Sequence, residues 1–177
     1  MQNNSNIEVI QYLCDTFKNT IDIKNNNLGK ALKNKIVINK KNKEGNTALM
    51  LAVQQSNISV LKVIVENYKD YIYINTQNFY GDTAFMLAVK NENIEIMQYL
   101  FDTFGDDIDL YKQNKDGDTA FTLASPKQNT EIIKFVRDLF NDNKIDSVFM
   151  HAARNRNTTF LKSLYSIFKD VIDIDNV

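Results

Sequence analysis

His151 and Cys14 are the one histidine and the one cysteine in 177 residues. No pattern sets a nucleophile, a carboxylate or a second ligand beside either. A lone histidine in the apolar run Val148-Phe149-Met150-His151-Ala152-Ala153 reads as a structural residue rather than a general base. Cys14 stands where a matching later segment has Phe101, so it reads as a small buried apolar side chain. One His and one Cys do not make a zinc site. Asp102, Asp106, Asp107 and Asp109 form an acidic run, but the glycine and distal glutamate of a calcium-binding loop are missing. That run reads as a solvated loop. The five glycines are isolated, which excludes a phosphate-cradling loop. The chain is expected to be no enzyme, with no catalytic residue, no cofactor and no metal.

Composition narrows the remaining classes. A hydrophobic content of 44% is enough for a packed core, and the formal net charge of −1 carries no global field toward nucleic acid or an anionic membrane. A single cysteine excludes an intrachain disulfide and suits a reducing compartment. No apolar run approaches the roughly 18–20 residues of a membrane span, and Met1-Gln2-Asn3-Asn4-Ser5-Asn6 lacks the basic and apolar blocks of a signal peptide. A soluble, cytoplasmic monomer with no nucleic-acid or membrane partner is expected. Charge is nevertheless uneven. Lys24, Lys30, Lys33, Lys35, Lys40, Lys41 and Lys43 make the first quarter basic, and the aspartates above, with Asp116 and Asp118, make the third acidic. Solvated faces account for this, or a polarised docking surface does.

The elements that position side chains repeat. Gly45-Asn46-Thr47-Ala48-Leu49-Met50-Leu51-Ala52, Gly81-Asp82-Thr83-Ala84-Phe85-Met86-Leu87-Ala88 and Gly117-Asp118-Thr119-Ala120-Phe121-Thr122-Leu123-Ala124 stand 36 residues apart. A fixed period of about 20–50 residues marks a stacked-repeat architecture. Each copy follows an extended approach (from Ile36, Ile72 and Ile108) that ends in Asn-x-x-Gly. There the Asx side chain mimics a backbone turn and the glycine accepts positive φ. Thr47, Thr83 and Thr119 are expected N-caps of short apolar helices ending near Gln55, Asn91 and Lys127. Second helices are expected over about 57–68, 93–104 and 129–140.

The flanks are partial. Residues 6–18 carry an apolar stripe at helical period, Ile7, Ile10, Leu13, Cys14 and Phe17, and match 93–104, so the chain opens on a second helix. Residues 25–35 fit no template and form an insertion; the Lys-rich stretch 24–43 around it gives only a weak localisation or phosphate-binding signal. Residues 142–177 form a degenerate last unit, with a second helix through Phe160, Leu161, Leu164, Tyr165 and Phe168. Terminal repeats are atypical because one side faces water. Val171-Ile172-Asp173-Ile174-Asp175 repeats the approach segment of a unit that does not follow.

Turn-Gly-x-Thr-Ala-Leu/Phe-x-x-Ala, a tight turn, then Asn-x-x-Ile/Val-x-x-x-Leu/Val resembles the ankyrin repeat. The family's Thr-Pro-Leu-His-x-Ala becomes Thr-Ala-Leu-Met-Leu-Ala, Thr-Ala-Phe-Met-Leu-Ala and Thr-Ala-Phe-Thr-Leu-Ala. The family's histidine, which helps tie neighbouring turns, is replaced by Met50, Met86 and Thr122, which shifts that burden to apolar packing. The period exceeds the family's roughly 33, and the extra residues fall at 66–73 and 102–109, where they lengthen the outer helix or its loop. The resemblance covers 36–141 well.

It implies an all-α solenoid of stacked helix-turn-helix units with short β-hairpin fingers, one domain over 1–177: 1–35 an atypical partial repeat with the insertion, 36–141 three regular repeats, 142–177 a degenerate cap. It also implies non-catalytic binding of a protein partner on a concave surface of finger tips and first-helix residues. Mapped position by position, those residues are Lys43, Glu44, Asn46, Gln54 and Gln55; then Phe79, Tyr80, Asp82, Lys90 and Asn91; then Lys115, Asp116, Asp118 and Lys127. Pro126 should end the third first-helix early. Phe79-Tyr80 is the aromatic departure from otherwise charged tips, and exposed aromatics are typical interface anchors; packing against a neighbouring finger is the alternative use. Two further roles stay open: an inhibitor of a partner enzyme, such as an immunity protein or antitoxin, or the targeting segment of a larger effector.

Overall fold

The computed structural model describes residues 37–124, 130–139, 149–150, 152–154 and 158–168. The helix expected over 6–18, the insertion at 25–35, Cys14, Pro126, Lys127, His151 and the segment 171–175 lie outside them. The chain divides into two compact units, residues 1–108 and 109–177.

In the first unit, α1 (Ala48–Gln54) and α2 (Ile58–Tyr68) form one helix pair, and α3 (Ala84–Lys90) and α4 (Ile94–Phe104) form the next. α1 packs on α2 and α3, and α3 packs on α4. All four boundaries follow from caps. Thr47 and Thr83 accept from the N–H groups of Met50 and Met86 at 3.4 and 3.2 Å, and Asn57 and Asn93 accept from Val60 and Ile96 at 3.1 and 3.0 Å. Each such cap contributes about 1 kcal/mol.

The residues in place of the family's histidine have a local role beyond apolar packing. The N–H of Thr47 donates to Met50 Sδ and that of Thr83 to Met86 Sδ, both at 3.5 Å. A thioether thus closes a capping box that glutamate or glutamine usually closes, with sulfur a weak acceptor.

Between the helices of each pair the chain turns in three residues, 55–57 and 91–93. The Ser56 N–H donates to the Val53 carbonyl and the Asn57 N–H to the Ala52 carbonyl, both at 2.9 Å, and Glu92 and Asn93 repeat this on Val89 and Ala88. This pair of bonds is a Schellman closure, and it needs a left-handed residue at its centre. Ser56 (φ 52°) and Glu92 (φ 55°) supply it without being glycine.

α2 and α4 are each followed by a 3-10 turn, Lys69–Tyr71 and Gly105–Asp107. These turns lie within 66–73 and 102–109, the stretches to which the sequence assigns the extra length of the period. The approach segments differ: Ile72 is extended, whereas residues 37–38 are helical. An apolar run this short satisfies either period. No strand forms among the described residues.

The core of the first unit is Leu49, Met50, Val53, Leu61, Ile64, Phe85, Met86, Ile96, Met97 and Leu100, all buried. Each such side chain contributes about 1.5–3 kcal/mol of transfer free energy.

In the second unit, α5 (Ala120–Ala124), α6 (Thr130–Asp138) and α7 (Thr158–Phe168) pack on one another. Phe121 meets Phe160 with ring centroids 5.7 Å apart and planes tilted by 43°, within the favoured range for aromatic pairs. Thr119 and Thr122 form the capping pair here. The Thr119 N–H donates to Thr122 Oγ1 at 2.8 Å and the Thr122 N–H to Thr119 Oγ1 at 3.3 Å.

Candidate functional site

Three asparagines build the turns, or tips, that precede α1, α3 and α5. Asn78 Oδ1 accepts from the N–H groups of Tyr80 and Asp82, both at 2.9 Å, and the Gly81 N–H donates to the Asn78 carbonyl at 3.0 Å. Asn42 does the same for Glu44, Asn46 and Gly45, and Asn114 for Asp116, Asp118 and Gly117. The turn glycines sit at φ 80°, 82° and 82°, which L side chains resist. The Asn-x-x-Gly signal in the sequence thus corresponds to one fixed tip, made three times.

In the first unit, neighbouring tips are tied together. The Phe79 N–H donates to the Glu44 carbonyl at 3.0 Å, and Asn78 Nδ2 donates to Asn46 Oδ1 at 3.0 Å inside the molecule. Lys41 Nζ reaches the Gln77 carbonyl at 2.7 Å. Behind the tips, Asn39 Nδ2 donates to the Tyr71 carbonyl at 2.6 Å while its Oδ1 accepts from the Tyr73 N–H at 2.9 Å. The tie between turns is therefore polar and built on asparagine. The expectation that it rests on apolar packing missed these groups, because an asparagine's partner 32 residues away leaves no local signal.

The mapped residues of the first unit do come together, but not all face outward. Asn46 (0% exposed) and Asp82 (3%) are buried. Asn46 Nδ2 donates to Glu44 Oε2 at 3.0 Å and to Gln54 Oε1 at 3.1 Å. Asp82, at the matching place in the next unit, is bridged by Lys90 Nζ at 2.6 and 2.7 Å. A neutral pair and an ion pair thus occupy the same position in successive units. Asn91 Nδ2 donates to the carbonyls of Val53 and Gln54 at 3.1 Å each, which ties α3 to α1. Lys43, Glu44, Gln54, Asn91, Phe79 and Tyr80 remain exposed, and Gln55 and Lys90 partly so.

Phe79 is 56% exposed and Tyr80 63%. Phe79 is packed and exposed at once: its ring lies against Gly45 of the neighbouring tip and yet presents more than half its surface to solvent. In the second unit Lys115 and Asp116 are exposed and Asp118 partly so. Thr122 Oγ1 donates to Asp118 Oδ1 at 2.9 Å, where Lys90 and Gln54 serve the earlier copies.

A cleft of about 660 Å³ lies beside the Lys69–Tyr71 turn, where Tyr73, Asn75, Phe104 and Asp107 also line it. The sequence signalled it only as the excess over the usual period. Among the described residues, no three His, Cys, Asp or Glu side chains gather as a metal site requires, and no helix is long and apolar enough to cross a membrane.

A family model described as ankyrin repeats, in three copies, matches residues 22–112, just over half of the chain. The third turn, at Asn114, lies beyond the match yet has the same hydrogen bonds. No curated protein matches the chain.

Proposed function

The chain belongs to the ankyrin-repeat family, whose repeats generally serve as protein–protein interaction modules, and from that premise we propose that it is a non-catalytic recognition protein whose partner docks on the finger tips and first helices. The observation that carries this is the Phe79-Tyr80 tip. Two large aromatic side chains stand out of the protein on a turn whose backbone is fixed by Asn78 and by the neighbouring tip. Such a tip loses little conformational entropy on binding, so its buried area converts well into affinity. Tyrosine and phenylalanine ordered in this way are typical hot-spot residues. Gln54, Lys90 and Asn91 flank the tip, and Lys115, Asp116 and Lys127 are assigned to the same role in the following repeat. We assign the family's stacking to the whole chain as one domain, with each tip acting as the family's finger, and a cytoplasmic location.

Photocrosslinking tests the surface. A benzoylphenylalanine at position 80 should capture a discrete protein partner, whereas one at Val63, 58% exposed on α2, should not. Capture from position 63 and not from 80 would move the surface to the outer helices.

A further inference from the structure

The charge beside the aromatic tip is unbalanced in one direction. Among the described residues, the two tips, Lys40 to Asn46 and Thr76 to Asp82, hold two carboxylates: Glu44 is exposed and keeps its charge, whereas Asp82 is buried and paired. Glu44 accepts from Asn46 at 3.0 Å, and Asp82 is buried against Lys90. The cations are less committed. Lys43 is exposed and has no ion pair or hydrogen bond among the described residues. Lys41 donates to a neutral carbonyl, that of Gln77, which leaves its charge in place. Lys43 and Lys41 are tied to the aromatic tip: the Phe79 amide bonds the carbonyl of Glu44, the residue after Lys43, the Phe79 ring lies on Gly45, and Lys41 reaches Gln77, two residues before Phe79. The Phe79 tip itself, Thr76 to Tyr80, carries no charge.

We infer that the partner segment is acidic and apolar at once: a stretch of polypeptide with Asp or Glu within a few residues of an aromatic or aliphatic side chain. The acid faces Lys41 and Lys43, and the apolar group covers Phe79 and Tyr80. This rests on the recognition role proposed above and names the chemistry that the surface selects. A single-stranded nucleic acid also offers negative charge and rings that stack. The exposed Glu44 carboxylate beside Phe79 repels a continuous polyanion, whereas discrete carboxylates can avoid it.

Selection of random peptides of roughly 12 residues on the full chain, with an oligothymidylate of about 20 nucleotides as a second probe, separates the outcomes. Enriched peptides should combine Asp or Glu with Phe, Tyr, Trp or Leu. They should weaken roughly two- to fivefold for each lysine reversed in Lys41→Glu and Lys43→Glu, and weaken with rising salt. Peptides without an acidic bias that bind Lys43→Glu as well as the wild type would overturn the inference and leave the aromatic anchor standing. Peptides indifferent to Phe79→Ala with Tyr80→Ala would instead remove the recognition surface beneath it. Tighter binding of the oligothymidylate than of any selected peptide, or a selection that enriches nothing, also overturns the inference.

Discussion

Phe79 lies so close over Gly45 that a methyl group on the glycine would come within 2.6 Å of both Phe79 Cδ1 and the Phe79 backbone nitrogen. Gly45 therefore has two reasons to be glycine, its φ of 80° and the ring above it. Gly117, at φ 82°, has the first reason alone, with nothing within 4 Å of the same methyl position. Gly45→Ala should cost about 2–4 kcal/mol and Gly117→Ala about 1 kcal/mol, the part due to backbone conformation. Urea denaturation of the full-length variants compares them. Equal costs would mean that Phe79 yields freely and is not held by its neighbour.

The asparagine tips differ in one bond. Asn42 and Asn78 both cap two backbone amides, but Asn78 also donates to Asn46 inside the protein. Asn78→Ala leaves those amides and the Asn46 oxygen without their partner. It should destabilise by about 2–4 kcal/mol, and by about 1 kcal/mol more than Asn42→Ala. Hydrogen exchange at the Tyr80 and Asp82 amides should rise in the first variant.

The pairs Asn46–Gln54 and Asp82–Lys90 occupy the same position 36 residues apart. Transplanting the neutral pair, as Asp82→Asn with Lys90→Gln, should therefore stay within about 0.5 kcal/mol of the wild type. Lys90→Gln alone removes the charge partner of a buried carboxylate. It should cost about 1–2 kcal/mol, a value kept low because Lys90 is partly exposed. A thermodynamic cycle on the four proteins reads the coupling directly. Additive single costs would show that the pair is not a unit.

Ser56 holds a left-handed conformation at the turn between α1 and α2, and its side chain is exposed. Ser56→Gly should stabilise by about 0.5–1 kcal/mol, since the relief of backbone strain exceeds the entropy that glycine brings to the unfolded chain. A lowered urea midpoint would mean that the serine side chain contributes more than its conformation costs.

Much of the fold was legible because its signals are local. Thr47, Thr83, Asn57 and Asn93 mark helix starts through bonds three residues long, and the Asn-x-x-Gly turns through bonds of two to four. The helical state of residues 37–38 was not legible, because three apolar residues have no period. The site was legible in outline only. Spacing placed Asn46 and Asp82 beside Phe79 and Tyr80 but did not show that the first two are buried. That difference depends on Asn78 reaching Asn46 and Lys90 reaching Asp82, and neither bond changes the sequence pattern. Nor did sequence show that Phe79 is both packed and exposed, because that requires Gly45 to lie beneath it.

The affinity of the captured partner for the wild type and for Phe79→Ala with Tyr80→Ala decides whether the aromatic tip carries recognition. The two side chains lie mostly outside the core, so circular dichroism and the urea midpoint should change little. If the tip does, affinity falls at least about tenfold, or about 1.4 kcal/mol, in the double variant. An unchanged affinity in a folded double variant would show that Phe79 and Tyr80 are no part of the recognition surface.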